Sequence, residues 1–313
     1  MNGLELSRGF YEEFGKPMLE AQFPQLLPNL AAGLFGSGSE CFGYDDEVSR
    51  DHDFEPGFCI FLPGEDEVDR RAAFLLERAY ARLPKEYRGF RRPTLLPVGG
   101  ARRGILRTGE FFLALTGSAD GLLTTAQWLT VPEEALAEAT NGEIYFDNRG
   151  EVRRIRASLA YFPEDIRLKR LAGQLLLMGQ AGQYNYARCL RRGETAAAQL
   201  AVGEFVKSTL SAVFLLNRRY QPYYKWSFRA LRALPQLSEL AGPLEYLLSS
   251  PNSPAEAGEK QRIIRETAEA AAALLTREGL SDLPGAELEA HAYAVNDRIR
   301  DGEVRNLHIL AAV

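Results

Sequence analysis

Residues 36–54 read GSGSECFGYDDEVSRDHDF, and the fold of the chain turns on how that stretch divides. The run before it, Leu30-Ala31-Ala32-Gly33-Leu34-Phe35, is short, apolar and closed by a glycine, the pattern of a buried strand feeding a turn. Beyond the acids, Phe54 to Leu62 reads as a second strand, with Pro56 and Gly57 marking a bulge or an edge. What joins the two is not a P-loop, because Glu40 stands where Lys and then Ser or Thr are needed. An EF-hand starting at Asp51 would need glycine where Pro56 falls. His52-Asp53 as a phosphohydrolase dyad lacks partners, since the other histidines are His291 and His308.

A phosphate turn followed by a metal-binding pair fits the residues better. In an extended strand residues two apart share a face, so Asp51 and Asp53 would present their carboxylates together while His52 points away. Magnesium takes oxygen ligands and binds carboxylates jointly with substrate phosphates. Gly36 and Gly38 let a backbone approach phosphate closely, and Ser37 and Ser39 add hydroxyl donors. The alternative is a loop that is merely acidic and solvated, which is the reading given to Asp45, Asp46 and Glu47. Cys41 and Cys59 read as packing residues.

Composition sets the outer bounds. The chain has 313 residues, 46% hydrophobic and 25% charged, enough for one large or two medium domains. No apolar run approaches the roughly 18 residues of a membrane span, and the N-terminus lacks the pattern of a signal peptide, so a cytoplasmic protein with no membrane association is expected. Three cysteines without close pairing point to reduced thiols. A net charge of -5 argues against a globally cationic nucleic-acid binder.

Periodicity then orders the elements. A helix is expected over Ser7–Leu27 with Ser7 as its cap, a second over Glu65–Leu83, a short strand over Gly104–Thr108, and helices over Gly109–Thr116 and Pro132–Ala139. GEIYFDNRGEVRRIRASL reads as a hairpin, with strand Glu143–Phe146, a turn over 147–150 and a strand from Glu151 that exposes Arg153, Arg154 and Arg156. After Pro163 the strand signals give way to helical spacing, interrupted by a Pro/Ser-rich loop over Gly242–Lys260. The fold class expected is α+β: a small mixed sheet with flanking helices over residues 1–160, then a helical bundle over 161–313.

Gly36-Ser37 followed by Asp51-His52-Asp53 resembles the signature of the DNA polymerase beta-type nucleotidyltransferase superfamily. SRDHDFEPGF and LNRRYQPYYKWSFRALRALP resemble, more narrowly, an uncharacterised bacterial family within it, related to aminoglycoside nucleotidyltransferases. The resemblance implies a mixed catalytic domain joined to a helical bundle. It implies that Gly36 and Ser37 bind a nucleoside triphosphate, to which the turn adds Ser39 as a further hydroxyl donor, and that Asp51 and Asp53 bind magnesium. It also implies a third carboxylate on a later strand, for which Asp147 is the candidate. Glu110 and Glu143 are nearby alternatives, because Gly104–Thr108 holds no acid. Lys225, within Tyr223-Tyr224-Lys225-Trp226, is the candidate partner of the triphosphate, and Arg50 either contacts phosphate or balances the acids.

The function expected is magnesium-dependent transfer of a nucleoside monophosphate to an acceptor hydroxyl, with a small molecule or protein favoured over RNA as acceptor. One rival is a degenerate module that binds nucleotide without turnover. Another is a toxin–antitoxin component, so that a homodimer or a small partner chain is the assembly to look for.

Overall fold

The structure is a computed structural model that describes residues 1–48, 54–92 and 103–313. Arg50, Asp51, His52 and Asp53 lie outside the described residues. The fold is α+β, and the chain divides into two compact units: residues 1–124 with 131–160, and residues 125–130 with 161–313.

The first unit is built on a four-stranded mixed sheet ordered β5-β2-β1-β6, with β1 Ala31–Leu34, β2 Cys59–Leu62, β5 Gly104–Arg107 and β6 Glu143–Asp147. A separate pair, β3 Glu86–Tyr87 and β4 Phe90–Arg91, forms a small antiparallel ladder. β1 runs antiparallel to β2 and to β6, while β5 runs parallel to β2. β1 and β2 are buried throughout, as expected for strands covered on both faces. Alternation splits them cleanly. Ala32, Ile60 and Leu62 join Leu6, Phe10, Leu19 and Leu76 in one core beneath the N-terminal helices and the helix Arg70–Ala81. On the opposite face Phe35 stacks on Phe61 at 4.6 Å, and Phe111 and Phe112 of the helix Thr108–Thr116 close over them.

Local chemistry corrects several expected boundaries. The first helix starts at Gly3, capped by Asn2, whose side chain accepts from the Glu5 N–H while the Glu5 carboxylate takes the Asn2 N–H. Ser7 is buried inside it and donates to the Gly57 carbonyl at 2.6 Å. β2 begins only at Cys59, leaving residues 54–57 out of the ladder, in keeping with Pro56 and Gly57 there. The expected hairpin is a strand followed by a helix, Glu151–Ser158, in which Val152 and Ile155 turn one face inward. The loop over Gly242–Lys260 is in fact two helices, Ala241–Ser249 and Pro254–Arg277, joined by four residues. Pro254 sits in the first turn, where a missing N–H costs nothing.

The second unit is helical. Its central helix, Thr195–Leu216, is, contrary to the expectation from apolar runs, long and apolar enough by length and composition to cross a membrane; most of that stretch is buried inside the protein. Two lysines are fully buried here with neutral partners. Lys169 donates to Asn296 Oδ1, Arg305 O and Leu307 O, and Lys260 donates to Gln199 Oε1, Ser250 O and Asn252 Oδ1. His291 is likewise buried and satisfied, by Ser281 Oγ and Gly285 O.

Burial in the first unit predicts alkaline sensitivity. Enclosure of Cys59 in β2 pushes its thiol up to about 12, and Tyr80, whose hydroxyl donates to Phe58 O, is also pushed up to about 12 by burial. Both groups keep their protons in the folded state and lose them in the unfolded chain near their ordinary values of 9.0 and 10.0. Their stabilisation is therefore complete below about pH 9 and falls as pH rises toward 12. Each ionising group removes about 1.4 kcal/mol per pH unit above its ordinary value, so these two groups alone should take about 2 kcal/mol from the urea-unfolding stability of this unit between pH 8 and pH 10, and burial raises Cys41, Tyr11 and Tyr145 in the same direction. A midpoint that stays level over that range would contradict the burial of these side chains.

Candidate functional site

Sheet register decides what meets what. Gly33 pairs with Cys59 and Leu34 with Glu143, so the outgoing end of β1 lies beside the incoming ends of β2 and β6. Cys59 also pairs with Gly104, which brings the start of β5 to the same end. One end of the sheet therefore collects the Gly36–Ser39 turn, the residues entering β2 and Arg103 at the head of β5.

The turn is held open from two sides. Gly36 and Gly38 have φ of 116° and 126°, a region that side chains with a Cβ rarely adopt. Gly36 donates its N–H to Asn141 Oδ1 and accepts from Asn141 Nδ2, both at 2.8 Å. Asn141 is fixed in turn by Arg156, whose guanidinium donates to the carbonyls of Thr140 and Asn141 and lies 4.8 Å over the Phe35 ring. Burial pushes Arg156 down to about 10. On the other side, Glu40 follows the turn and is buried against Arg103, with Nη2 to Oε1 at 2.9 Å. Arg103 also donates to the backbone carbonyl of Glu55 and lies 3.8 Å from the Glu55 carboxylate. Burial acts to lower the Arg103 pKa, but Glu40 and Glu55 outweigh it and the net shift is upward.

The side chains between these clamps are uncommitted among the described residues. Ser37 is exposed and Ser39 half-buried, and among the described residues neither hydroxyl has a hydrogen-bond partner. The same holds for the N–H groups of Ser37, Gly38 and Ser39. Gly36 is different: its N–H is already taken by Asn141, so the expected phosphate role contracts to Ser37 through Ser39, and Gly36 supplies conformation. Among the described residues no three His, Cys, Asp or Glu side chains cluster to hold a metal. The expected metal pair, Asp51 and Asp53, lies outside those residues.

The expected third acids fall elsewhere. Asp147 pairs with Ala31, at the opposite end of β1 from the turn. Its carboxylate is 1% exposed and accepts the Arg153 N–H at 2.8 Å, so it caps the start of the helix Glu151–Ser158. The Asp147 of the expected catalytic set is thus a capping residue remote from Ser37. Glu110 follows Arg107, which pairs with Leu62 at that same far end. Glu143 does reach the turn's end of the sheet but is bound by Arg8 Nε at 3.0 Å. Arg153, Arg154 and Arg156, expected on an exposed strand, are helical, and Arg156 is half-buried. Lys225 belongs to the second unit, where its ammonium lies 5.2 Å from the Trp226 ring. Sequence reasoning missed Arg103, Glu40 and Asn141. Their contacts join residues 63 and 105 positions apart, for which the sequence carries no local signal.

Residues 128–227 match a family described as a domain of unknown function (DUF4037). That stretch is less than half of the chain. No curated protein matches it. Among solved structures it is similar to the crystal structure of a nucleotidyltransferase-like protein from Exiguobacterium sibiricum 255-15. The identity is 12% and the TM-score 0.37, over 90% of this chain and 79% of that one. A likeness at that score fixes neither fold nor function.

Proposed function

We propose that the first unit is a nucleotidyltransferase module that transfers a nucleoside monophosphate from a nucleoside triphosphate to an acceptor hydroxyl. The observation that supports it is the two-glycine turn at the end of the sheet where β2 begins, with no hydrogen-bond partner for the Ser37 and Ser39 hydroxyls among the described residues. Neutral N–H and hydroxyl donors held in place before the ligand arrives suit phosphate oxygens, because little ordering remains to be done on binding. Asp51 and Asp53 would hold magnesium, which supplies charge neutralisation for the phosphates and the leaving pyrophosphate. Glu40 is left out of that set, since its carboxylate is committed to Arg103.

A second reading is favoured by the acids themselves. Glu143 and Glu40, at the turn's end of the sheet, are each bound to an arginine, and Asp147 lies at the other end, so none of these three expected or neighbouring acids is placed to act there as general base. On that reading the module binds magnesium nucleotide without turning it over. Incubation with each triphosphate, magnesium and a panel of hydroxyl acceptors, following pyrophosphate, separates the two. Transfer gives release that falls about tenfold or more when Ser37 and Ser39 are both changed to Ala. Saturable nucleotide binding without release supports the second reading. Absence of both defeats the site.

A further inference from the structure

The segment Arg218–Trp226 of the second unit is a rigid connection that displays aromatic and cationic side chains. Arg218 adopts φ of 51° and places its guanidinium on Glu164, with Nη1 to Oε2 at 2.7 Å. Asn217 exchanges hydrogen bonds with the Gln236 backbone, its Nδ2 donating to Gln236 O and its Oδ1 accepting from Gln236 N, both at 3.0 Å. Gln221 accepts from Ser211 Oγ at 2.6 Å and donates to Ser227 Oγ at 3.1 Å, and Ser227 donates to Pro222 O. Tyr220 packs on Tyr161 and Phe162. What remains faces outward: Tyr223 is 42% and Tyr224 73% exposed, their ring centroids 4.3 Å apart.

Within the chain segment itself charge has one sign, although Glu278 also faces Arg218. From Phe205 to Ser238 the sequence holds no acid, while Arg218, Arg219, Lys225, Arg229 and Arg232 all fall within it. Glu164 and Glu245 reach it from other elements, and they are occupied by Arg218 and Arg232. Arg219 and Lys225 have no acidic partner among the described residues. The segment thus presents an exposed ring and cations without acidic partners on a fixed backbone. It complements a ligand that carries flat aromatic faces and regularly spaced negative charge.

We propose that this surface binds single-stranded nucleic acid, with a base stacked on Tyr224 and backbone phosphates at Arg219 and Lys225. Stacking tolerates any base, so the site selects unpaired strand rather than sequence. The duplex is disfavoured because its bases are already stacked on one another. The overall acidity of the chain is no obstacle, since the cations are gathered locally. This binding is separate from the transfer reading, and anisotropy reports it whether or not pyrophosphate is released.

The test is fluorescence anisotropy of a labelled single-stranded RNA of about ten nucleotides, a length within the span of such sites. Binding is expected to weaken about sevenfold between about 50 and 200 mM salt, the dependence for two phosphate contacts. Tyr224→Ala should weaken it about tenfold. Arg219→Ala should weaken it and lower the logarithmic salt slope by about 0.7. Both side chains are exposed, so thermal unfolding of the variants should match the parent. No anisotropy change up to about 100 µM protein overturns the proposal. So does equal binding of the same sequence as a duplex, equal binding by both variants, or displacement by ATP, which would make the patch a mononucleotide site.

Discussion

With Asp51 and Asp53 both replaced by Asn, magnesium-dependent pyrophosphate release should fall by about a thousandfold or more. Each substitution keeps the shape and one acceptor oxygen of the side chain but removes its formal charge. Magnesium gives up its waters reluctantly, and it is the charge of the carboxylates that compensates for their loss. Two neutral amides would leave the triphosphate without fixed neutralisation just as charge develops on the departing pyrophosphate. Loss of about 4 kcal/mol from that stabilisation corresponds to a thousandfold in rate. Excess magnesium should not restore the rate, whereas the Ser37 and Ser39 variants should respond to higher nucleotide concentration, because on the proposed assignment they would lose contacts to the phosphates and keep both carboxylates. Release that persists in the double variant would remove Asp51 and Asp53 from the mechanism.

The parts of the fold that were legible were those whose signal is local. Leu30–Phe35 announced a buried strand, and Gly36 and Gly38 announced a turn, because apolar runs and glycine each act on their immediate neighbours. Gly104–Arg107 was readable for the same reason. Glu151–Ser158 was misread because Val152 and Ile155 fit both a strand beginning after a turn and one face of a helix. Gly150, at φ of 71°, opens the helix rather than closing a hairpin, and Asp147 reaches across it to cap. Asp-Asn-Arg-Gly is turn chemistry in either case.

The candidate site was half legible. Its turn could be read, but what holds the turn could not. Asn141 lies in a short connection, and nothing in its neighbourhood announces that its amide binds both backbone groups of Gly36. Asp147 was drawn into the site by sequence position, and strand register removed it: β6 runs antiparallel to β1, so the acid at its end lies beside the start of β1. At the turn's end of the sheet Glu143 and Glu40 are already bound to Arg8 and Arg103.

Arg103 carries the largest expected effect on stability. Its side chain is 6% exposed and that of Glu40 8%. Arg103→Met should cost about 3–5 kcal/mol, because it strands a buried carboxylate. For a unit of this size that lowers the unfolding temperature by about 10 °C. Most of the cost is the orphaned charge, so adding Glu40→Leu should recover much of it, since a buried ion pair can often be replaced by apolar groups with little loss. The cycle should therefore show a coupling of about 2 kcal/mol or more. Additive effects would mean that Arg103 stabilises by packing alone. If nucleotide binding follows the proposed geometry, the doubly apolar variant should regain stability without regaining affinity. Arg103 ties the residue after the turn to Glu55, two positions beyond Asp53, and an apolar contact holds neither in register.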